Sequence, residues 1–374
     1  MKTVGIICEY NPFHLGHVYH INQIKKMYPE SIIVLVLSGN FTQRGDASLI
    51  DKWKKTEIAL NYVDLVIELP FVFACQSADL FALGACDILK HLNVDVLVFG
   101  SESDDVKRLY DFSIIQDSSE YNLKVKEYLD LGYNYPTSLS NALEDICGDS
   151  VRSSNDLLAL SYIKNLKNSN IKCVSIKRTN DYLNSEITGE ITSGTSIREA
   201  LKKGKDVSKY VPDVCLKYLK NLHFIDDYFD LLKYKIISED ISKYQTVDEG
   251  IHNRIKKVIN EVNSFDDLLD KVKSKRYTYN KIRRMMLHIL VGFTKKEAKE
   301  LSKTEYIRVL GFNDNGRKYL KKVKNECEIP ILLNYKKGFE GLDLESRVSM
   351  IYNLINKDDD LLEHEHKVII KWLH

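Results

Sequence analysis

Short runs of β-branched and apolar residues alternate with stretches of helical spacing through the first two hundred positions, and this alternation constrains the fold more than any other feature of the chain. Residues 3–8 form one such run, the turn Glu9-Tyr10-Asn11-Pro12 ends it, and residues 17–27 follow at helical spacing. Residues 31–37 are almost continuously apolar, as expected of a strand covered on both faces, and Ser38-Gly39-Asn40 closes them. A helix over 53–61, a strand over 64–68, a helix over 77–91 and a strand over 95–99 continue the pattern. Strands separated by helices predict a parallel sheet with right-handed crossovers. After Gly100-Ser101-Glu102 the chain reads as largely helical to about Lys167; a strand over 171–176 and a helix from near Gly194 are expected to rejoin the sheet.

Beyond about Gly204 the pattern changes to helices between polar turns, over 213–222, 250–262, 265–272, 279–291 and 295–301, with two short strand-like runs at 306–312 and 329–334. The expected architecture is α/β: a Rossmann-like domain with a parallel sheet over 1–205, then a mainly α-helical domain over 206–374. A chain of 374 residues has room for two or three cores without disulfide staples.

Net charge of +1 conceals an asymmetry. Residues 1–200 carry 19 basic and 26 acidic side chains, the remainder 35 and 27, and residues 271–310 alone hold 12 and 3. A basic face on the second half suits a polyanionic partner such as RNA. The seven cysteines are scattered, odd in number and without a C-x-x-C pair, and read as buried free thiols of a reducing compartment. No leader pattern and no membrane-length apolar run is visible, so a cytoplasmic location is expected.

The strongest chemical signal is Asn11-Pro12-Phe13-His14-Leu15-Gly16-His17, between the first strand and the first helix. At that edge of a parallel sheet, backbone N–H groups of a helix N-terminus point into a crevice and favour phosphate. Gly16 removes a Cβ from a close approach, while His14 and His17 can donate ring N–H bonds whose value rises as charge develops on a leaving group. Ordinary capping histidines at 14, 17 and 20 are the bland alternative; a zinc site would want ligands that are not nearby. Ser193-Gly194-Thr195-Ser196-Ile197-Arg198 opens a helix and can hold a second phosphate, although taken on its own the motif is better read as a plain N-cap with an exposed Arg198. Lys177 and Arg178 add positive charge at the same edge. The loop of residues 38–46 is a candidate for substrate contact, and Gly100 would let an adenine or ribose lie against backbone.

A strand followed by His14-x-Gly16-His17, with residues 193–198 much later, resembles the nucleotidyltransferase superfamily bearing the HIGH-type motif. The longer string of residues 4–20, with Ser38-Gly39-Asn40-Phe41-Thr42-Gln43-Arg44-Gly45, Asp51-Lys52-Trp53, residues 64–70 and Phe99-Gly100-Ser101-Glu102, closely resembles the bacterial tRNA(Met) cytidine acetate ligase family. The likeness covers most of residues 1–200 and continues more weakly through Lys275-Arg276-Tyr277-Thr278 and Ile282-Arg283-Arg284. It departs at Ser154-Asn155, where family members often have Pro-Asn, and at Leu15, where they often have Asn.

The resemblance implies an enzyme that activates acetate with ATP as acetyl-adenylate and passes the acetyl group to the exocyclic amine of the wobble cytidine of elongator tRNA(Met). It implies ATP contacts from Ile7, Cys8, Glu9, Tyr10, Asn11, Pro12, Phe13, His14, Leu15, Gly16, His17, Val18, Tyr19, His20, Gly100, Asn155, Lys177 and Arg178. Mg²⁺ would offset phosphate charge, with no protein metal site. His14, His17, Lys177, Arg178 and Arg198 would stabilise the departing pyrophosphate. Lys275, Arg276, Lys281, Arg283 and Arg284, interleaved with Tyr277 and Tyr279, would meet RNA phosphates and unpaired bases. A small-molecule adenylyltransferase and a non-catalytic RNA-binding protein remain alternatives at this point.

Overall fold

The computed structural model describes residues 1–178, 192–366 and 370–372. Five strands, β1 (Thr3–Cys8), β2 (Ile32–Ser38), β3 (Leu65–Leu69), β4 (Val96–Ser101) and β5 (Lys172–Lys177), run parallel in the order β5-β4-β1-β2-β3. Every residue of β2 and β3 is buried, which accounts for their unbroken apolar runs. Successive strands move outward from β1 to β3, and the chain then crosses back to place β4 on the other side of β1. The reversal between β1 and β4 opens a crevice at their carboxyl ends, where open α/β sheets bind their ligands.

Helices Leu15–Met27, Lys52–Ala59 and Ala78–His91 make the first crossovers. Between β4 and β5 the chain inserts Val106–Ile115, Ser119–Asp130 and Tyr135–Cys147 before helix Ser154–Leu166 packs on Ala78–His91.

The last third returns to the sheet. Strand β6 (Ile307–Asn313) pairs antiparallel with β3, with Leu65 opposite Phe312 and Ile67 opposite Val309; β7 (Ile331–Leu332) and β8 (Ile370–Trp372) run parallel to β6. The sheet is therefore mostly parallel rather than wholly so. Residues after 205 are mainly helical as expected, but the buried apolar side chains of the described residues form one main cluster that runs from Val4 to Ile370, beside a small one of Tyr306, Leu332 and Leu342. A break at 205 would cut across the sheet, with β1–β5 before it and β6–β8 after it, and without β6 the β3 edge would be open.

A buried charge network fastens this return. Lys52 Nζ lies 2.5 Å from Glu68 on β3 and 2.8 Å from Glu365; Arg308 on β6 lies 2.5 Å from Glu365 and 3.1 Å from Glu68. Glu345 completes the group, accepting the Phe71 N–H at 2.5 Å, and burial beside Glu68 raises its carboxyl above the usual range. Such a network stabilises little against an apolar core of equal volume, but loss of one partner strands a buried charge.

Several local expectations change. Only Asp213–Leu216 of 213–222 is α-helical, and 250–262 divides into helix Ile251–Val258 and a 3₁₀ turn at Ile259–Glu261. Helices Phe229–Ser238, Asp314–Val323, Glu340–Asn356 and Asp359–His366 lie outside the expected helical runs; the apolar stripe is weak in all but Asp314–Val323, which buries Tyr319, Leu320 and Val323. Of the seven unpaired cysteines Cys75, Cys86 and Cys215 are buried, whereas Cys147 is exposed and Cys8, Cys173 and Cys327 are half-buried. Among the described residues no helix is long and apolar enough to cross a membrane.

Candidate active site

A cavity of about 370 Å³ occupies the crevice between β1 and β4. The β1 turn supplies one wall, residues 192–198 a second, and Gly100, Asn155, Lys177 and Arg178 a third.

His14 is the N-cap of helix Leu15–Met27, with extended backbone (φ −145°, ψ 171°). Its Nδ1 accepts the Gly16 N–H at 3.0 Å, and its own N–H donates to His17 Nδ1 at 3.2 Å, a capping box built from two imidazoles. A ring nitrogen that accepts an N–H carries no proton, so the proton of each ring resides on Nε2, and both rings offer Nε2–H donors. Their centroids are 3.9 Å apart, a spacing that disfavours two positive charges. Burial, followed by the charges of Arg178 and Arg198, pushes His14 down to about 3. Burial and then His14 hold His17 far below the usual imidazole range, and burial lowers His20 to about 4. Capping and donation are compatible in His14: Nδ1 serves the cap, and the cap leaves Nε2 unused in a residue that lines the cavity.

Residues 193–198 come against this turn through Gly194, where a Cβ would stand 3.2 Å from the Asn11 carbonyl oxygen and 3.8 Å from the His14 ring. Ser193 caps helix Gly194–Lys202 by accepting the Ser196 N–H at 3.1 Å. Arg198 lines the cavity, yet its Nη1 donates to the Asn11 carbonyl at 2.7 Å and its Nη2 to Thr195 Oγ1 at 3.2 Å. It holds the two phosphate-type loops together as well as charging the crevice. At Gly100 the neighbour is the Arg178 side chain, 3.3 Å from where a Cβ would be, rather than open space for a base. Asn155 Nδ2 donates to Glu102 at 2.5 Å, and Asp156 accepts Ser101 Oγ at 2.5 Å and the Glu102 and Ser103 N–H groups at 3.0 and 3.1 Å. These bonds hold the end of β4 and the start of helix Ser154–Leu166 rigid.

The loop after β2 closes the remaining side. Glu9, whose carboxyl burial raises, accepts the Gln43 N–H at 2.6 Å, and Lys55, lowered by burial, donates to the Glu9, Ser38 and Gly39 carbonyls at 3.0, 2.7 and 2.6 Å. From the helical half, helix Tyr279–Val291 grips the same loop. Arg283 pairs with Asp46 at 2.5 Å and Asp266 at 3.1 Å, and Arg284 Nη1 donates to the Gln43 carbonyl at 3.2 Å. Gly45 makes the fit possible: its φ of +80° is left-handed, and a Cβ there would lie 2.6 Å from Arg283 and Arg284 backbone.

Sixteen of the nineteen sequence-predicted ATP-site and catalytic residues line the cavity, the exceptions being Phe13, Leu15 and Val18. Phe13 points inward, 1% exposed, and packs on Tyr10 and Tyr62 at ring distances of 4.7 and 4.9 Å; Val18 packs on the core. The expected RNA set divides. Lys275 and Arg276 are exposed and Lys281 is half-buried over the Tyr277 ring, but Arg283 and Arg284 are engaged by the loop, and Tyr277 is 6% exposed. Arg283 is thus paired with carboxylates and Arg284 hydrogen-bonded to a carbonyl within the fold. Sequence reasoning did not find Asn280, nor the apolar wall of Phe81, Leu157 and Tyr162; Gln43 and Arg44 carried only the signal of a loop at a carboxyl edge. Among the described residues no three His, Cys, Asp or Glu side chains come together as a metal cage.

The chain matches the family model described as HIGH Nucleotidyl Transferase over residues 1–367. It is 39% identical over 360 residues to a tRNA(Met) cytidine acetate ligase of Anoxybacillus flavithermus, covering 90% of each chain. It is 36% identical to one of Clostridium novyi, covering 96% of each. Two solved structures of Thermotoga maritima TmcAL, one apo and one bound with alpha-thio ATP, superpose with TM-scores of 0.92 and 0.90 at 29% identity over the whole of both chains.

Proposed function

The chain belongs to the HIGH nucleotidyl transferase family, and from that premise we propose how its crevice performs the acetate ligation for which its relatives are named. It is an ATP-using ligase that modifies a cytidine of tRNA(Met). An acetate oxygen attacks the α-phosphorus of ATP; the new P–O bond forms as the bond to the β-phosphate breaks, giving acetyl-adenylate and pyrophosphate. The exocyclic N4 of the wobble cytidine of elongator tRNA(Met) then attacks the acetyl carbon. The C–O bond to AMP breaks, and one N4 proton goes to solvent.

The observation that carries this reading is the pair of neutral imidazoles whose Nδ1 atoms are used by backbone N–H groups. Their Nε2–H donors, with the N-terminus of helix Leu15–Met27, meet charge that grows on pyrophosphate. Lys177, Arg178 and Arg198 add full positive charge to the same crevice. The apolar wall of Phe81, Leu157 and Tyr162 suits the face of adenine, with Asn155 at its edge. Glu9, the carboxylate that lines the cavity, and Glu102 and Asp156 behind Asn155 are already engaged by N–H and hydroxyl donors. This donor set fits Mg²⁺ held chiefly by phosphate oxygens and water, where it would offset triphosphate charge. Residues 1–205 supply acetate activation, and Lys275, Arg276 and Lys281 in residues 206–374 meet tRNA phosphates in a cytoplasmic enzyme.

Acetate-dependent exchange of labelled pyrophosphate into ATP, in the absence of tRNA, tests the first step. Exchange that requires acetate is the expected result; none at saturating ATP and acetate overturns the reading.

A further inference from the structure

Among the described residues, Asn280 is the one position beyond 205 that lines the cavity. It is the second residue of helix Tyr279–Val291 and its side chain is exposed at the rim. Thr278 caps that helix by accepting the Lys281 N–H at 3.2 Å, and Arg283 and Arg284 fasten it to the β2 loop by the bonds to Asp46 and Gln43. The Asn280 backbone is therefore fixed relative to the histidine turn, while among the described residues no hydrogen bond engages its amide. Asn280 is thus a polar group at the junction of the cavity and the basic half.

A side-chain amide presents a carbonyl acceptor beside an N–H₂ donor, and cytosine presents an N4–H donor beside the N3 acceptor; the two edges complement each other as a bidentate pair. We propose that Asn280 receives the Watson–Crick edge of the unpaired cytidine and positions N4 for attack, so that the helical half supplies base specificity as well as phosphate contacts. The inference rests on the functional reading above and names the substrate-positioning residue it lacks.

Two variants test it, Asn280→Ala and Asn280→Asp, the second retaining shape and acceptor without the donor to N3. The readouts are acetate-dependent pyrophosphate exchange without tRNA, and kcat/KM for acetylation of tRNA(Met), with a thermal melt to confirm folding. Both variants should lose about tenfold or more in kcat/KM for tRNA while exchange stays within about twofold. Affinity for tRNA should hardly change, since phosphate contacts dominate it. A parallel fall in exchange and tRNA kinetics, or wild-type tRNA kinetics in either variant, overturns the assignment. Failure of the functional reading would show separately, as a wild-type enzyme without exchange or without acetylated tRNA.

Discussion

Replacing His14 separates its two jobs. Nδ1 caps the helix through the Gly16 N–H at 3.0 Å, and Nε2–H is the donor assigned to the departing pyrophosphate. Ala removes both; Asn removes only the second, because its Oδ1 stands near the place of Nδ1 and can accept the same N–H. Loss of an N-cap costs about 0.5–2 kcal/mol, typically about 1. Loss of one donor to developing charge lowers kcat by roughly 10²–10³. His14→Ala should therefore lower the denaturation midpoint, whereas His14→Asn should lie close to wild type, and both should lose pyrophosphate exchange by about the same factor. Supplied with synthetic acetyl-adenylate, both should acetylate tRNA(Met) far more readily than with ATP and acetate, because that step no longer expels pyrophosphate. An Asn variant with wild-type exchange would refute the donor role, and an Asn variant as unstable as Ala would refute the cap.

Other perturbations test the loop, the charges and the network. Gly45→Ala meets a left-handed φ, costing about 1–2 kcal/mol, and a Cβ 2.6 Å from helix backbone; it should lower stability and exchange together, and unchanged exchange would show that the clamp is irrelevant to the site. His14 and His288, 9% and 0% exposed, are held by burial at about 3 and about 4. Their folded values lie below the unfolded value of about 6.5, so their contribution is present above pH 6.5 and is lost as pH falls. Near pH 5.5 each should cost about 1 kcal/mol, and a denaturation midpoint flat from pH 7.5 to 5.5 would contradict this. Arg308→Met leaves Glu68 and Glu365 with Lys52 alone and should cost about 3–5 kcal/mol, read by urea unfolding.

The site was legible where chemistry is local. A strand, a turn and His14-x-Gly16-His17 lie within fifteen residues, so periodicity places the histidines at a carboxyl edge without knowledge of the rest. Parallel pairing among β1 to β5 follows from alternation and crossover rules, but neither their order nor the antiparallel pairing of β6 with β3 does, the latter because the partners lie some 240 residues apart. Charge counting failed at Arg283 and Arg284 for a related reason. Their counterparts, Asp46 and the Gln43 carbonyl, are distant in sequence, and a basic run looks the same whether it faces water or an internal acceptor. Phe13 sits inside the motif yet packs inward, because a tight turn alternates the directions of its side chains. Asn280 gave no signal at all: an Asn in a polar first turn is ordinary until the fold brings a cavity to it.

Everything above turns on one transformation, and mass analysis of the nucleosides of tRNA(Met) after incubation with the protein reads it out. Acetylcytidine that appears only when acetate and ATP are both present, and disappears in His14→Asn, is the predicted result. An unmodified cytidine under conditions where ATP and acetate turn over would contradict the account.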